Sequence, residues 1–581
     1  MNNTVGVNCQ SPIPPAMAST TQVCYTNMVN LVAPLGEPGN GLYLLTLVIF
    51  AGTTIFACRG ILFGHLAGKL EGWRYMFAGP QIIDKAYAQN PSRPFQIRTP
   101  SNSHLMITTS ELIKEVLDAP PSRLSLHAVA KELLQPKYTM YGFEWQEQRG
   151  VEGTGFVRAL RSRLTSHLPQ FQPELDRIIR GCLLEELDRT PDENGFVPVE
   201  LFPMIKRVIT RVNCFVFFGK ELSENSEFTE AALAFPQTVV LAAEILRITP
   251  AFMCPLVAWI VTKRHRAAKT LFRYLEPEVC RRRAEMAQAD RLGVSKPAAR
   301  ADCMQWLIDT SPKKDPWSTP RMIGETLAIW FSSVHQLAMV SLERHAPSPA
   351  TERCEVANKR NSDFWHMKTT TFVIQDICQH QEYVDPLRQE IGQVTQEGKG
   401  LERIEERLPL LDSFVKESIR FSNADALSCR RKALDDFTLQ NGSIIHKNDW
   451  VCIPQRAMMC DERRYANPQA FDGYRFARAN DALRQGNATA DVPDKTASSV
   501  TSASLEWPIW GLGNATCPGR FYASLILKLI TANLLQEWEC KLRDTTAPRS
   551  MVWRSSIVPR SDTVVLLRKR EVREMDAAAL G

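Results

Sequence analysis

Near its C-terminus the chain carries a cysteine framed by glycines directly ahead of a long apolar segment. It reads Trp510-Gly511-Leu512-Gly513-Asn514-Ala515-Thr516-Cys517-Pro518-Gly519-Arg520-Phe521, followed by a helix-periodic run from Leu525 to Leu535. Glycines at 511, 513 and 519 let the backbone take positive φ and lie close against a flat partner. Cys517 falls where a helix begins, and a helix N-terminus stabilises a thiolate. A loop built this way presents one sulfur to a metal. A buried cysteine at a strand-to-helix turn is the bland alternative; the glycine framing argues against it.

The stretch resembles the haem-thiolate loop of the cytochrome P450 family: an aromatic residue, Gly-x-Gly, Cys-x-Gly, then a helix. That resemblance implies haem b as cofactor, with Cys517 as axial ligand to the iron and Trp510, Gly511, Gly513 and Gly519 as cofactor-binding residues. A thiolate ligand donates electron density that favours O–O cleavage. Two positions depart from the family pattern. Trp510 stands where Phe is usual, and Ala515 stands where a basic residue usually reaches a haem propionate.

Upstream, Leu408 to Phe421 reads as a helix in which Glu417 and Arg420 share one face at i, i+3. Pairs at that spacing are common on surfaces. Their place ahead of Phe471-Asp472-Gly473-Tyr474-Arg475-Phe476 and of Cys517 resembles the family's Glu-x-x-Arg motif and its later Arg partner. By that resemblance Glu417, Arg420 and Arg475 form a buried charge network. Arg431 precedes an Asn441-Gly442 hairpin turn and falls on a strand where the family contacts a propionate. Trp145 to Arg149 formally fits another propionate-holding pattern, but Gly142, Gly150, Gly153 and Gly155 argue against a helix there. The run Val157 to Thr165 is the preferred haem-flanking helix, with Arg158 and Arg161 as candidates; solvated surface arginines are the alternative.

Apolar residues at Ile323, Leu327, Trp330, Phe331, Val334, Leu337 and Ala338 recur at steps of three and four. They mark the long helix that in the family crosses the distal haem face. Ser333, His335 and Gln336 are the catalytic candidates, with His335 and Gln336 where the family has an acid and a threonine. A histidine with water relays protons near neutral pH; alternatively Gln336 only bonds the helix backbone and water delivers the proton. The pattern stops at Met339 and resumes at Thr369, and joining the two gives one uninterrupted helix. Residues 340–368 are charged, aperiodic and contain Pro347 and Pro349. They read as a retained intron, since Val340-Ser341 can be encoded by GTAAGT and a lysine codon can end in AG. A genuine surface loop is the alternative.

At the other end, Met1 to Cys58 contains no Lys or Arg, and Pro38 to Cys58 no charge of either sign. About 20 such residues match a bilayer core of roughly 30 Å. Arg59, Lys69 and Arg74 follow, so the positive-inside rule places the catalytic part in the cytosol. The organisation expected is a lumenal N-terminus at 1–37, one transmembrane anchor at 38–60, a catalytic domain at 61–570 and a tail at 571–581, in the endoplasmic reticulum membrane. Pro94 to Arg98 and His104 to Thr108 alternate like strands. Ala477 to Ser504 is polar and reads as a surface loop, and the apolar stretch Val239 to Met253 as a substrate-recognition helix, core, or a second membrane contact.

Net charge of +6 on 581 residues gives no reason to expect nucleic acid binding. The 15 cysteines include no Cys-x-x-Cys pair, which fits reduced thiols and no zinc module. The fold expected is mainly α with a smaller β region. The resemblance implies a monooxygenase inserting one oxygen atom from O2 into a hydrophobic small molecule, with electrons from NADPH through NADPH-cytochrome P450 reductase. Its wording is closest to fungal members that tailor secondary metabolites such as terpenoids. Two alternatives stay open: a haem-thiolate isomerase or dehydratase needing no reductase, and a chain inactivated by the 340–368 segment.

Overall fold

The computed structural model describes residues 72–142, 157, 159–186, 188–292, 301–312, 316–334, 365–396 and 407–570. The segments expected to be an anchor, 38–60, and a tail, 571–581, lie outside them. Helices dominate: α1 (72–89), α2 (Ser110–Asp118), α3 (Leu126–Leu134), α4 (Thr165–Glu185), α5 (Leu201–Phe218), α6 (Ser226–Leu246), α7 (Cys254–Val261) and α8 (Arg266–Leu292) come first. They are followed by α9 (Cys303–Thr310), α10 (Thr319–Val334), α11 (Trp365–Gln379), α12 (Val384–Val394), α13 (Pro409–Ser422), α14 (Arg475–Arg484) and α15 (Arg520–Glu537).

Local signals explain these boundaries. The Asn225 side chain accepts from the Phe228 N–H at 2.9 Å and starts α6. Gly219, at φ +87, ends α5 by donating to the Phe215 carbonyl at 3.0 Å. Among the described residues α6 is the one helix long and apolar enough to cross a membrane, and 50% of that stretch is buried inside the protein. It is packed against α5 and α8.

Strands gather in one mixed sheet of order β1-β2-β8-β5-β3, built from Phe95–Arg98, Ser103–Met106, Trp450–Ile453, Ser428–Ala433 and Leu124–Ser125. Only the β2–β8 pair is parallel. β4 (Val197–Glu200), β12 (Val564–Lys569) and β9 (Trp538–Leu542) form a second sheet, β10 (Ser550–Trp553) and β11 (Ser556–Pro559) a hairpin, and β6 (Phe437–Thr438) pairs with β7 (Ile444–Ile445) across the Asn441-Gly442 turn. The expected pair of short strands at 94–108 is therefore present. One large apolar cluster joins α4 to α6, α8 to α13 and α15, and a smaller one lies under the mixed sheet.

Helix α13 is unusual in burying charge. Glu417 has no exposed side-chain area and accepts two bonds from Arg420 at 2.8 Å and one from Arg475 Nε at 3.2 Å. The guanidinium of Arg420 also donates to the Met459 and Pro468 carbonyls at 2.9 Å, and that of Arg475 to the Ala466 carbonyl at 2.5 Å. The three residues expected to form a network thus do.

The segment 477–504 differs from expectation. Its first part, through Arg484, belongs to α14; Gln485–Ala488 and Lys495–Ala497 are exposed as a surface loop should be, but the end at Ser498–Val500 is anchored inside. The Ser498 hydroxyl accepts from buried Lys416 at 2.6 Å, and Val500 is fully buried. Polar composition misled because those side chains are spent on internal hydrogen bonds. Glu417→Ala leaves two buried guanidinium groups facing each other and is expected to destabilise the fold by about 3–5 kcal/mol. Denaturant unfolding of wild type and variant checks this, and a change below about 1 kcal/mol would contradict a buried network.

Candidate active site

Two of the three framing glycines take the positive φ expected of them, whereas Gly519, at φ −92, serves instead as the N-cap position of α15. A short 3₁₀ turn, Pro508–Trp510, leads into Gly511 at φ +73, and Gly513 follows at φ +60. A Cβ on Gly511 would stand 2.9 Å from the Ala515 carbonyl oxygen, so both conformation and space favour glycine. The Cys517 N–H donates to the Trp510 carbonyl at 2.8 Å, closing the loop, and α15 starts three residues later at Arg520. Cys517 is half-buried. Burial pushes its thiol above the ordinary range, while the Gly519 N–H and the Arg520 guanidinium pull the other way.

What holds this loop was not visible in the sequence. The Val500 carbonyl accepts the indole N–H of Trp510 at 2.6 Å and that of Trp507 at 3.2 Å. The Val500 N–H in turn donates to Asp412 of α13 at 3.0 Å, and Asp412 pairs with buried Lys528 of α15 at 2.7 Å. Arg520 Nε donates to the Thr501 carbonyl at 3.0 Å. Trp510 replaces Phe here with a ring that has a bond to make.

Arg431 sits on β5, which packs against the 508–510 turn. It is buried, and among the described residues it has no carboxylate partner; its guanidinium donates to the Arg430 carbonyl at 2.9 Å. Burial alone pulls its pKa below the ordinary arginine range. An unpaired buried cation is costly unless an anion completes it. Arg161 lies in a π-helical turn, Leu160–Leu164, that leads into α4, and it donates to the Asn514 carbonyl at 2.7 Å. It is exposed and braces the loop from outside. Arg158 lies outside the described residues.

On the opposite side, Ser333 near the end of α10 is half-buried and donates to the Trp330 carbonyl at 2.9 Å, a bond internal to its own helix. His335 and Gln336 lie outside the described residues. α11 packs on α5, α13 and α15, and begins at Trp365, so it includes the last residues of the segment read as an interruption. Thr369, Thr370 and Thr371 are all buried on it, and Thr371 donates to the Met367 carbonyl at 2.6 Å. Three consecutive threonines were a signal available in the sequence and not singled out as site residues.

Comparison with known proteins agrees with this geometry. The cytochrome P450 family model matches residues 367–567, a span that holds Glu417, Arg420, Arg431, Arg475 and Cys517. A cytochrome P450 monooxygenase of Emericella nidulans is 26% identical over 544 residues, covering 92% of each chain. The chain belongs to the cytochrome P450 family. A second relative, cytochrome P450 monooxygenase ptmQ of Penicillium ochrochloron, is 25% identical over 88% of this P450 and 91% of its own length. A retinoic acid bound cyanobacterial CYP120A1 has the same fold, with a TM-score of 0.58 at 17% identity, covering 84% of this chain and 93% of its own. These relatives are named monooxygenases, and this P450 is an oxidoreductase of that class.

The family implies a haem with cysteine-thiolate ligation and electrons from a redox partner. The residues present fit that group. Among the described residues no three His, Cys, Asp or Glu side chains converge as a metal site, so an ion at Cys517 would take its other ligands from a macrocycle. Arg431 supplies a buried charge that a propionate would neutralise. Arg431→Leu should therefore act with opposite signs: the haem-free chain gains about 1–3 kcal/mol on losing an uncompensated buried charge, while haem retained per protein through gel filtration falls. Unchanged haem content would show that Arg431 is not aimed at the cofactor.

Proposed function

We propose that this P450 is a membrane-bound haem-thiolate monooxygenase that inserts one oxygen atom from O2 into a hydrophobic small molecule, a secondary metabolite such as a terpenoid. Cys517 is the axial ligand, and electrons arrive from NADPH through NADPH-cytochrome P450 reductase. The observation that carries this reading is the pairing of one thiol on a positive-φ glycine loop with a buried guanidinium that lacks an anion, on adjacent elements.

When bound, the haem would activate O2, one atom entering the substrate and the other leaving as water, with two electrons from the reductase and two protons from solvent. The protein's part is positional and electrostatic. Burial pushes the Cys517 thiol up, so holding the iron as a thiolate would require loss of that proton to the cation. The Gly519 N–H and the start of α15 then stabilise the sulfur's charge. Arg431, buried without a carboxylate partner among the described residues, would pair with a propionate, and Arg161 and Arg158 are proposed to assist it. Trp510 is fixed by Val500, so the loop cannot drift and expose the thiolate to water. His335 and Gln336 are our candidates for proton delivery, with water as the alternative carrier; the Ser333 hydroxyl donates to the Trp330 carbonyl.

Membrane attachment rests on the anchor expected at 38–60, which is uncharged from Pro38 to Cys58. It gains support from exposed apolar residues around α7: Ile248 is 67% exposed, Phe252 83%, Leu256 57% and Ile260 59%. Side chains of this kind in contiguous sequence favour a lipid surface.

We also infer that the segment read at 340–368 is a retained intron rather than part of the working enzyme, except that its downstream bound falls too late: Trp365–Lys368 belong to α11 and Met367 is buried in the core. The family model's match begins at residue 367, at the end of this segment, although the Emericella nidulans relative aligns over 92% of the chain. A chain inactivated by that segment is the second reading favoured by the same observation. The reaction is tested with the chain lacking 340–368, reconstituted with the reductase and a panel of terpenoid hydrocarbons under ¹⁸O2. NADPH-dependent products carrying one ¹⁸O are expected. Isomerised or dehydrated products formed without NADPH would overturn the monooxygenase reading in favour of an isomerase or dehydratase. Activity of the full chain equal to that of the shortened one would identify 340–368 as a true loop.

A further inference from the structure

A concave site lies where α6, the mixed sheet and the β10–β11 turn meet, lined on β5 by Arg430, the neighbour of Arg431. It is a cavity of about 50 Å³, several times what one water occupies on the same measure. Leu133, Leu134, Val240 and Ala243 form its apolar side. The other side is charged. Arg430 donates to both oxygens of Asp425 at 2.7 Å and to the Ser555 hydroxyl at 3.0 Å. Arg247 donates to Glu244 at 2.9 Å, and Arg554 reaches the other oxygen of the same Glu244 at 3.2 Å.

The charges do not balance. Three guanidinium groups face two carboxylates, and Asp425 is already matched by Arg430, so Glu244 alone serves Arg247 and Arg554. Burial, and after it the charge of Arg247, pull Arg554 below the ordinary arginine range. His104 closes the cavity, 5% exposed and stacked on Trp450 with ring centroids 4.7 Å apart. Its Nδ1 is buried without a hydrogen-bond partner. Burial and then the three arginines push His104 down to about 3, so it is neutral at working pH and can donate one N–H without adding charge. An orphan imidazole nitrogen and a surplus guanidinium charge in one enclosure describe a place for one anionic group.

We propose that this cavity binds the carboxylate of a small molecule whose remaining body is apolar, with Arg554 and Arg247 as the charged partners and His104 as a neutral donor. One surplus charge matches one carboxylate, and the planar guanidinium fork matches its two oxygens. The apolar wall on α6 suits a hydrocarbon chain. A structural ion-pair cluster holding only water is the competing account, and it predicts no preference between an acid and the matching alcohol.

The test is calorimetric titration of the purified full chain with octanoate and with octan-1-ol, read without turnover, so that failure of the redox reading leaves its outcome interpretable. Octanoate is expected to bind at least about tenfold more tightly, in line with a charge-assisted bond to a desolvated guanidinium. Arg554→Gln and Arg247→Gln should each reduce that preference to within about twofold, and Arg554→Lys should keep most of it. If one glutamine variant fails to fold, the other reads the same charge. Equal binding of acid and alcohol by the wild type, or a preference surviving in a folded glutamine variant, would overturn the proposal.

Discussion

One carboxylate, Glu417, holds together the parts of this protein that matter for chemistry. It has no contact with water, so its charge is stable only because Arg420, Arg475 and the Asp472 N–H point at it. Those arginines in turn use their remaining N–H groups on carbonyls between Met459 and Ala470. A buried charge cluster of this kind has one low-energy arrangement, since any alternative strands a charge. It therefore fixes the irregular segment after β8 without regular secondary structure.

The same helix face reaches the sulfur. Asp412 and Lys416, two turns and one turn from Arg420 on α13, hold Val500 and Ser498, and Val500 holds both tryptophans of the loop that ends in Cys517. Lys416 also lies over the rings of Phe476 and Trp507, at 4.3 and 4.8 Å from their centroids. From α13 to the thiol the path is a short series of hydrogen bonds between groups with almost no solvent. A rigid loop is what a single-sulfur ligand needs, because misplacement of one atom is misplacement of the whole site.

The sequence was legible where chemistry imposes a fixed spacing. Gly511, Gly513, Cys517 and Gly519 lie within one loop, and Glu417 and Arg420 within one helical turn, so local rules suffice to read them. Arg475 was found because the aromatic residues around it resemble a family pattern. Asp412, Lys416, Val500 and Lys528 went unread because their partners lie far along the chain and a lone Lys or Asp on a helix looks solvated. The polar stretch 477–504 was misread for the same reason: composition records polarity but not whether a polar group is bonded inside. The charged cavity beside α6 was also hidden, since its five ionic groups come from α6, the residues around β5 and the β10–β11 turn. The anchor at 38–60, together with His335 and Gln336, remains an expectation outside the described residues.

The central claim is that Cys517 ligates a haem iron as a thiolate. The direct measurement is the carbon monoxide difference spectrum of the reduced protein, taken on the chain lacking 340–368 beside its Cys517→Ser variant. A red-shifted thiolate-type Soret band in the parent, absent from the serine variant, is the predicted result. A thiolate band that survives Cys517→Ser, or a folded, haem-loaded parent with only a non-thiolate band, would contradict the account.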